Sequence, residues 1–444
     1  MLRVAVVGSG PAGVYTAEAL LRYGGEVLLD VIDGLPAPFG LVRYGVAPDH
    51  PRTQSISATL AAVLQQPSVR FLGNVHIGSD LKLEEMRDHY DAVVVATGAA
   101  VDRHLDVPGE DLPGSVSATD LVAWYCGHPD TPPDLFRLDA RSVAVVGAGN
   151  VAGDVARMLA SSPEELRATD VADHVLAAFS ASTVEDVHLI ARRGPAQAKF
   201  TTRELRELGD LAEADVLVDP ADLELDDVSR ELLTSNAGAR RNVDVLRGWA
   251  ETPPAGRPRR VHLHFFAKPI ALTGDGRVEG IQLERTAFGP DGSLKGTGEQ
   301  RELPVQLVVR AVGYRSLPLP GLPFDAEAGV VPHKDGRVCL DGAPVPGAYV
   351  AGWAKRGPTG VIGTNKHDAR ETVRSLLEDV PSLTPAPQRD PDTILRLLAE
   401  RGVQVVDWAG WAAVDAAELE RGRAQGRPRI KITDRAELLR LSRQ

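Results

Sequence analysis

The stretch VAVVGAGNVAGD, residues 143–154, opens with the five residues VAVVG that also open VAVVGSGPAGVY at positions 4–15. Each copy is an apolar, strand-like run that ends in a glycine-rich turn and leads into a helical pattern. GSGPAG reads as G-x-G-x-x-G, with Gly8, Gly10 and Gly13; GAGNVA reads as G-x-G-x-x-A, with Gly147, Gly149 and Ala152. In such a turn the first glycine allows the sharp bend and the second lets backbone approach a pyrophosphate. The third small residue lets helix pack on strand, and the helix N-terminus faces the phosphates. A chain that builds this turn twice is expected to hold two dinucleotides.

The strand after each turn separates the two ligands. After the first, the strand LLDVID (28–33) ends at Asp33, twenty residues beyond Gly13. An acid there hydrogen-bonds free ribose hydroxyls, which suits FAD. After the second, DVHLIAR (186–192) ends in Ala191-Arg192-Arg193-Gly194. A carboxylate would repel a 2′-phosphate, whereas two guanidiniums pair with it, which suits NADP. Gly153 and Arg192 are 39 residues apart, so residues 161–186 are expected to form an inserted, partly helical excursion.

Further strand-like runs extend the pattern. DAVVVATG (91–98) and VQLVVRAVG (305–313) are continuous apolar runs ending at glycine, suited to buried parallel strands. Two doubly wound α/β units of the Rossmann-like, three-layer kind are the economical reading. Proline and glycine interrupt the pattern in 99–111 and 316–324, the expected crossings between units. PSLTPAPQRDPD (381–392) reads as a loop, followed by two short amphipathic segments and a C-terminal helix.

Composition narrows the class. The chain has 444 residues, 43% hydrophobic and 25% charged, with a net charge of −12. That balance fits a soluble globular protein and argues against nucleic-acid binding. No run of eighteen apolar residues occurs, so no membrane span is expected. No charged-then-apolar leader precedes the strand at Leu2, and a cytoplasmic location is the expectation. The two cysteines, Cys126 and Cys339, are 213 positions apart and form neither a CxxC pair nor a metal-ligand set.

Three longer stretches then carry a resemblance. PAPFGLVRYGVAPDHP (36–51), IARRGPAQAKFTTRELREL (190–208) and AGWAKRGPTGVIGTNKHDA (351–369) resemble the adrenodoxin-reductase-type ferredoxin–NADP reductases, and the similarity runs from residue 1 to about 435. The resemblance implies a discontinuous FAD domain, 1–104 with 321–444, and an NADP domain, 105–320. Beside the motif glycines Gly8, Gly10 and Gly13, it implies FAD contacts at Ala12, Asp33, Leu41, Ile77, Trp353, Gly360, Val361 and Ile362. For NADP, beside Gly147 and Gly149 of the second motif, it implies Arg103, Asn150, Val151, Ala152, Gly153, Arg192, Arg193 and Glu204, with Gly360 near the nicotinamide. Gly153 departs from the family pattern, which has an aliphatic residue before the aspartate. The resemblance also implies a monomer that passes electrons from NADPH through FAD to an iron–sulfur ferredoxin, with a general NADPH diaphorase as the alternative. It places His50 and Glu207 near the chemistry.

The residues themselves add a docking expectation. The window 237–268 holds Arg240, Arg241, Arg247, Arg257, Arg259, Arg260 and Lys268 against only Asp244 and Glu251. A local basic face on an acidic chain could steer an acidic ferredoxin. A disulfide reductase would need a dithiol, and a flavin monooxygenase would need F-x-G-x-x-x-H; FLGNVH (71–76) puts His76 one position early.

Overall fold

The computed structural model describes residues 1–444. The chain divides into two units, one of residues 1–101, 128–130 and 314–444, the other of residues 102–127 and 131–313.

The first unit is built on a seven-stranded sheet. Its order is His333–Lys334, Arg337–Leu340, Ala343–Val350, Ala92–Val95, Leu2–Val7, Val27–Ile32, Val69–Leu72. The last five strands pair in parallel, and the first three form an antiparallel meander. Val4, Val6, Val31 and Val94 are all fully buried. Strands covered on both faces favour such β-branched runs without alternation. Helices Pro11–Tyr23 and Thr364–Asp379 pack on this sheet, contributing Val14, Leu20, Val373 and Leu376 to one core.

The second unit repeats the plan. Its six strands run in the order Ser115–Ser117, Leu307–Arg310, Ser142–Val146, Asp186–Ile190, Arg259–His264, Ala214–Val218, every pair parallel. In each unit the strand before the glycine turn lies between its successor and one later apolar strand. Leu307–Arg310 therefore occupies the place that Ala92–Val95 holds in the first unit. The excursion after the second turn folds as two helices, Pro163–Arg167 and Asp173–Ser180.

Three features depart from expectation. The crossings fall at 101/102 and 313/314, not at 104/105 and 320/321. Backbone bonding explains the shift: Ala100 N–H donates to Arg315 O at 3.1 Å on one side, and Arg103 N–H to Gly313 O at 2.9 Å on the other. The proline-rich 316–324 loop thus lies wholly inside the first unit, as does the isolated piece 128–130. There His128 packs on Tyr44 at 5.0 Å and Asp130 pairs with Arg435 at 2.8 Å.

A three-stranded antiparallel sheet, Ala267–Thr273, Gly280–Phe288 and Leu294–Pro304, is the second departure. Its outer strand is almost wholly exposed and carries no apolar alternation to read. The third is the seventeen-residue helix Trp408–Ala424, where only short segments were expected. Its alanine-rich sequence gives only a narrow apolar stripe, of which Trp411 and Val414 enter the core. It is anchored by the fully buried Glu418, which takes bonds from Arg43 at 2.5 Å, Arg429 at 2.7 Å and Ile432 N–H at 2.8 Å.

Candidate functional site

In the first turn Gly8 adopts φ +111°, and a Cβ there would stand 2.4 Å from Ala96 O. A Cβ on Gly13 would lie 1.8 Å from Gly8 O, whereas one on Gly10 would meet nothing nearer than Gly40 Cα at 3.8 Å. Gly8 and Gly13 therefore serve packing, and Gly10 lies under open space. The helix ladder starts with Val14 N–H donating to Gly10 O at 3.0 Å. The N–H groups of Ala12 and Gly13 precede that ladder and face an anion site.

Asp33 is more occupied than a bare ribose ligand. Its Oδ2 accepts from Ser9 N–H at 2.8 Å and Ser9 Oγ at 2.6 Å, and its Oδ1 from Leu35 N–H at 2.9 Å. A carboxylate offers about four acceptor positions. Asp33 thus braces the turn and keeps room for one hydroxyl.

The glycine loop after Trp353 supplies the other half of this surface. Trp353 is half-buried, donates from Nε1 to Thr359 O at 3.1 Å, and stacks on Tyr314 at 5.8 Å and 24°. Gly360 has φ +83° and Ile362 is half-buried. Val361 is 62% exposed and Leu41 38% exposed. Uncovered apolar side chains beside a glycine loop suit a flat aromatic ring system, so these residues fit FAD. Ile77 is half-buried and packs on the Leu72, Val75 and Leu81 cluster.

In the second turn Gly153 N–H donates to Gly149 O at 3.0 Å and begins the helix Asn150–Ala160. Asn150, Val151 and Ala152 keep N–H groups ahead of the ladder. Gly153 does not, so its amide is spent inside the helix and is closed to a phosphate. Asn150 Oδ1 accepts Thr201 N–H at 2.8 Å. Gly147 packs like Gly8: a Cβ there would stand 2.4 Å from Ala311 O.

Arg192 and Arg193 are exposed, and neither guanidinium is ion-paired. Their backbones are held: Arg192 O accepts from Thr286 Oγ1 at 2.7 Å and Arg193 O from Phe266 N–H at 3.1 Å. Two positive heads on a fixed backbone, beside an open phosphate turn, fit a 2′-phosphorylated dinucleotide. Arg103 is also exposed in this unit.

Glu204 and Glu207 stand on helix Thr202–Gly209, which Thr201 caps. Sequence reasoning missed their neighbours. Arg157, 3% exposed, lies 2.8 Å from Asp154, 3.8 Å from Glu204 and 3.9 Å from Glu207. Arg203 binds Glu207 at 2.9 Å. Burial first, then the charges of Asp154 and Glu207, push the Glu204 carboxyl up to about 8. Its only signal was Asp154 and Arg157 at helical i, i+3 spacing just after the turn. His50 belongs to the other unit. It is buried and precedes the short helix Pro51–Gln54, its carbonyl accepting from Thr53 and Gln54 N–H.

Three of the seven cations of the expected basic face are spent internally. Arg257 donates to Leu211 O and Ala214 O, Arg259 pairs with Glu213 at 3.0 Å, and Arg260 with Asp186 at 2.6 Å. Strand ends in a parallel sheet bring Arg259 and Arg260 against acids that lie far away in sequence. Arg240, Arg241 and Arg247 remain exposed on helix Ala237–Glu251.

With this geometry in place, comparison with known proteins is direct. Residues 2–194 match the model of the pyridine nucleotide-disulphide oxidoreductase family. The chain is 45% identical to the NADPH-ferredoxin reductase FprA of Mycobacterium tuberculosis, covering 99% of this chain and 98% of that one. It is 41% identical to the mitochondrial NADPH:adrenodoxin oxidoreductase of Arabidopsis thaliana, covering 99% and 95%. The solved structure of Mycobacterium tuberculosis FprA in complex with NADPH matches with a TM-score of 0.94 at 42% identity, over the full length of both chains. The chain belongs to the adrenodoxin-reductase-type ferredoxin–NADP reductases. The two cysteines, Cys126 and Cys339, are both free and buried and fall in different units. No helix is long and apolar enough to cross a membrane.

Proposed function

We propose that the chain is an NADPH–ferredoxin oxidoreductase with FAD as its resident cofactor. The observation that carries this is the contrast between the two turns. One is followed by a carboxylate, Asp33, and the other by two unpaired guanidiniums, Arg192 and Arg193. FAD, when bound, would supply the redox chemistry that links a two-electron donor, NADPH, to a one-electron iron–sulfur acceptor.

The chain's own residues do the rest. The N–H groups of Ala12 and Gly13 bind the FAD diphosphate, and Asp33 takes a ribose hydroxyl. Trp353, Gly360, Val361 and Ile362 form the flat surface against the ring system. Asn150, Val151 and Ala152 bind the NADPH diphosphate through backbone N–H, while Arg192 and Arg193 hold the 2′-phosphate. Arg103 lends a further cation, and Glu204, whose carboxyl is pushed up by burial and the neighbouring acids, offers a hydrogen-bonding group. His50 and Glu207 are proposed to tune protonation or hold the nicotinamide; His50→Gln is expected to change the stopped-flow rate of flavin reduction, and an unchanged rate would remove His50 from the mechanism. An acidic ferredoxin docks on the exposed Arg240, Arg241 and Arg247. Arg257, Arg259 and Arg260 support that face without contacting the partner.

The test is NADPH-driven cytochrome c reduction with and without an added iron–sulfur ferredoxin, at low and high salt. A ferredoxin-dependent gain that fades with salt supports both the activity and the docking face. Fast flavin reduction with no ferredoxin gain would mark a diaphorase instead.

A further inference from the structure

The segment 198–201 runs along the second glycine turn and is laced to it twice. Lys199 N–H donates to Ala148 O at 2.7 Å, and Thr201 N–H to Asn150 Oδ1 at 2.8 Å. The backbone is extended at both ends, with Ala198 at φ −62°, ψ 137° and Thr201 at φ −67°, ψ 147°. Phe200 between them is buried, and its ring lies 3.5 Å from where a Cβ on Gly153 would stand. Phe200 packs against the helix, whereas Lys199 beside it is exposed.

Two further observations point to an anion. The Lys199 ammonium has no carboxylate or carbonyl partner, whereas the Thr201 hydroxyl is used in capping Glu204 N–H. A Cβ on Gly149 would meet no atom within 4 Å, so the space over the turn is open. An unpaired point charge on a flexible stem is thus tethered, by its own backbone, to the middle residue of a phosphate-binding turn.

Building on the NADPH assignment above, we propose that Lys199 binds the diphosphate of the nicotinamide dinucleotide, a task separate from that of Arg192 and Arg193. The arginines stand just past the end of strand Asp186–Ile190, where the adenosine ribose and its 2′-phosphate are recognised. Lys199 is bonded to Ala148, at the turn over which the diphosphate lies. NADPH and NADH share the diphosphate, so Lys199 adds affinity without choosing between them.

The test uses the purified flavoprotein, with calorimetric titration of NADP⁺ and of adenosine 2′-monophosphate, which lacks the diphosphate. Michaelis constants for NADPH and NADH in dye reduction are measured alongside. Lys199→Ala is expected to weaken NADP⁺ binding about tenfold, the equivalent of one charge-assisted bond of about 1.4 kcal/mol. It should raise both Michaelis constants by the same factor and leave adenosine 2′-monophosphate binding unchanged, with Lys199→Arg restoring most of the loss. Unchanged NADP⁺ affinity in Lys199→Ala overturns the proposal. So does a loss confined to NADPH and adenosine 2′-monophosphate, which would put Lys199 on the 2′-phosphate. A wild-type protein that binds no NADP⁺ would defeat the NADPH assignment itself, an outcome distinct from a neutral Lys199→Ala on a tight-binding background.

Discussion

Gly153 sits inside the helix Asn150–Ala160, and replacing it with alanine should stabilise the second unit. Glycine in a helix interior costs about 1 kcal/mol relative to alanine, because the unfolded chain loses more freedom on ordering. The new methyl would meet the Phe200 ring at 3.5 and 3.7 Å, which is ordinary van der Waals contact and demands no rearrangement. Removing that methyl from water adds up to about 0.8 kcal/mol. Gly153→Ala is therefore expected to gain between about 1 and 2 kcal/mol. In a unit of this size each kcal/mol moves the midpoint by about 2–4 °C. The assay is thermal unfolding followed by calorimetry, with the two units resolved as separate transitions where they do not melt together. In a Phe200→Ala background the contact part vanishes and the propensity part persists, so the gain should fall toward about 1 kcal/mol. A loss of stability in Gly153→Ala would refute the reasoning, since it would mean that the helix needs glycine for a closer approach than the Phe200 distances show.

Three other outcomes are expected. Converting Arg192 and Arg193 together to alanine should cut the NADPH-over-NADH preference by about a hundredfold, since two charge-assisted contacts are lost; comparing kcat/KM for the two nucleotides checks it, and an unchanged ratio would refute it. Acid should weaken the fold through His188 and His264. Burial, then neighbouring positive charge, depresses them to about 4 and about 3. The unfolded chain takes up protons as pH falls through the ordinary histidine range while the folded chain does not, so stability is lost from about pH 6.5 downward. That is about 2 kcal/mol at pH 5 from His188 alone, to be read from urea midpoints at pH 7 and pH 5; equal midpoints would count against it. Glu418→Ala should cost about 3–5 kcal/mol, because it strands the buried Arg43 and leaves Arg429 without that partner; a near-normal melting temperature would show the pair to be dispensable.

The repeated VAVVG turns settled the doubly wound class and the presence of two nucleotide sites, because a glycine turn between strand and helix is local chemistry with a local signature. Asp33 against Arg192 and Arg193 was equally legible, since charge type at a strand end needs no coordinates. Tertiary structure decided what those groups are already doing. Asp33 is largely committed to Ser9 and Leu35, Arg259 and Arg260 are paired with internal acids while Arg257 is held by backbone carbonyls, and Arg157 gathers Asp154, Glu204 and Glu207. Each of these depends on residues that the sheet and helices bring together from distant positions. Spacing along the chain reports which backbone can form; it is silent on which charge meets which, because an ion pair depends on separation in space. The same reason hid Lys199, a lone cation in sequence, whose task emerges only from the 2.7 Å bond between its backbone and Ala148.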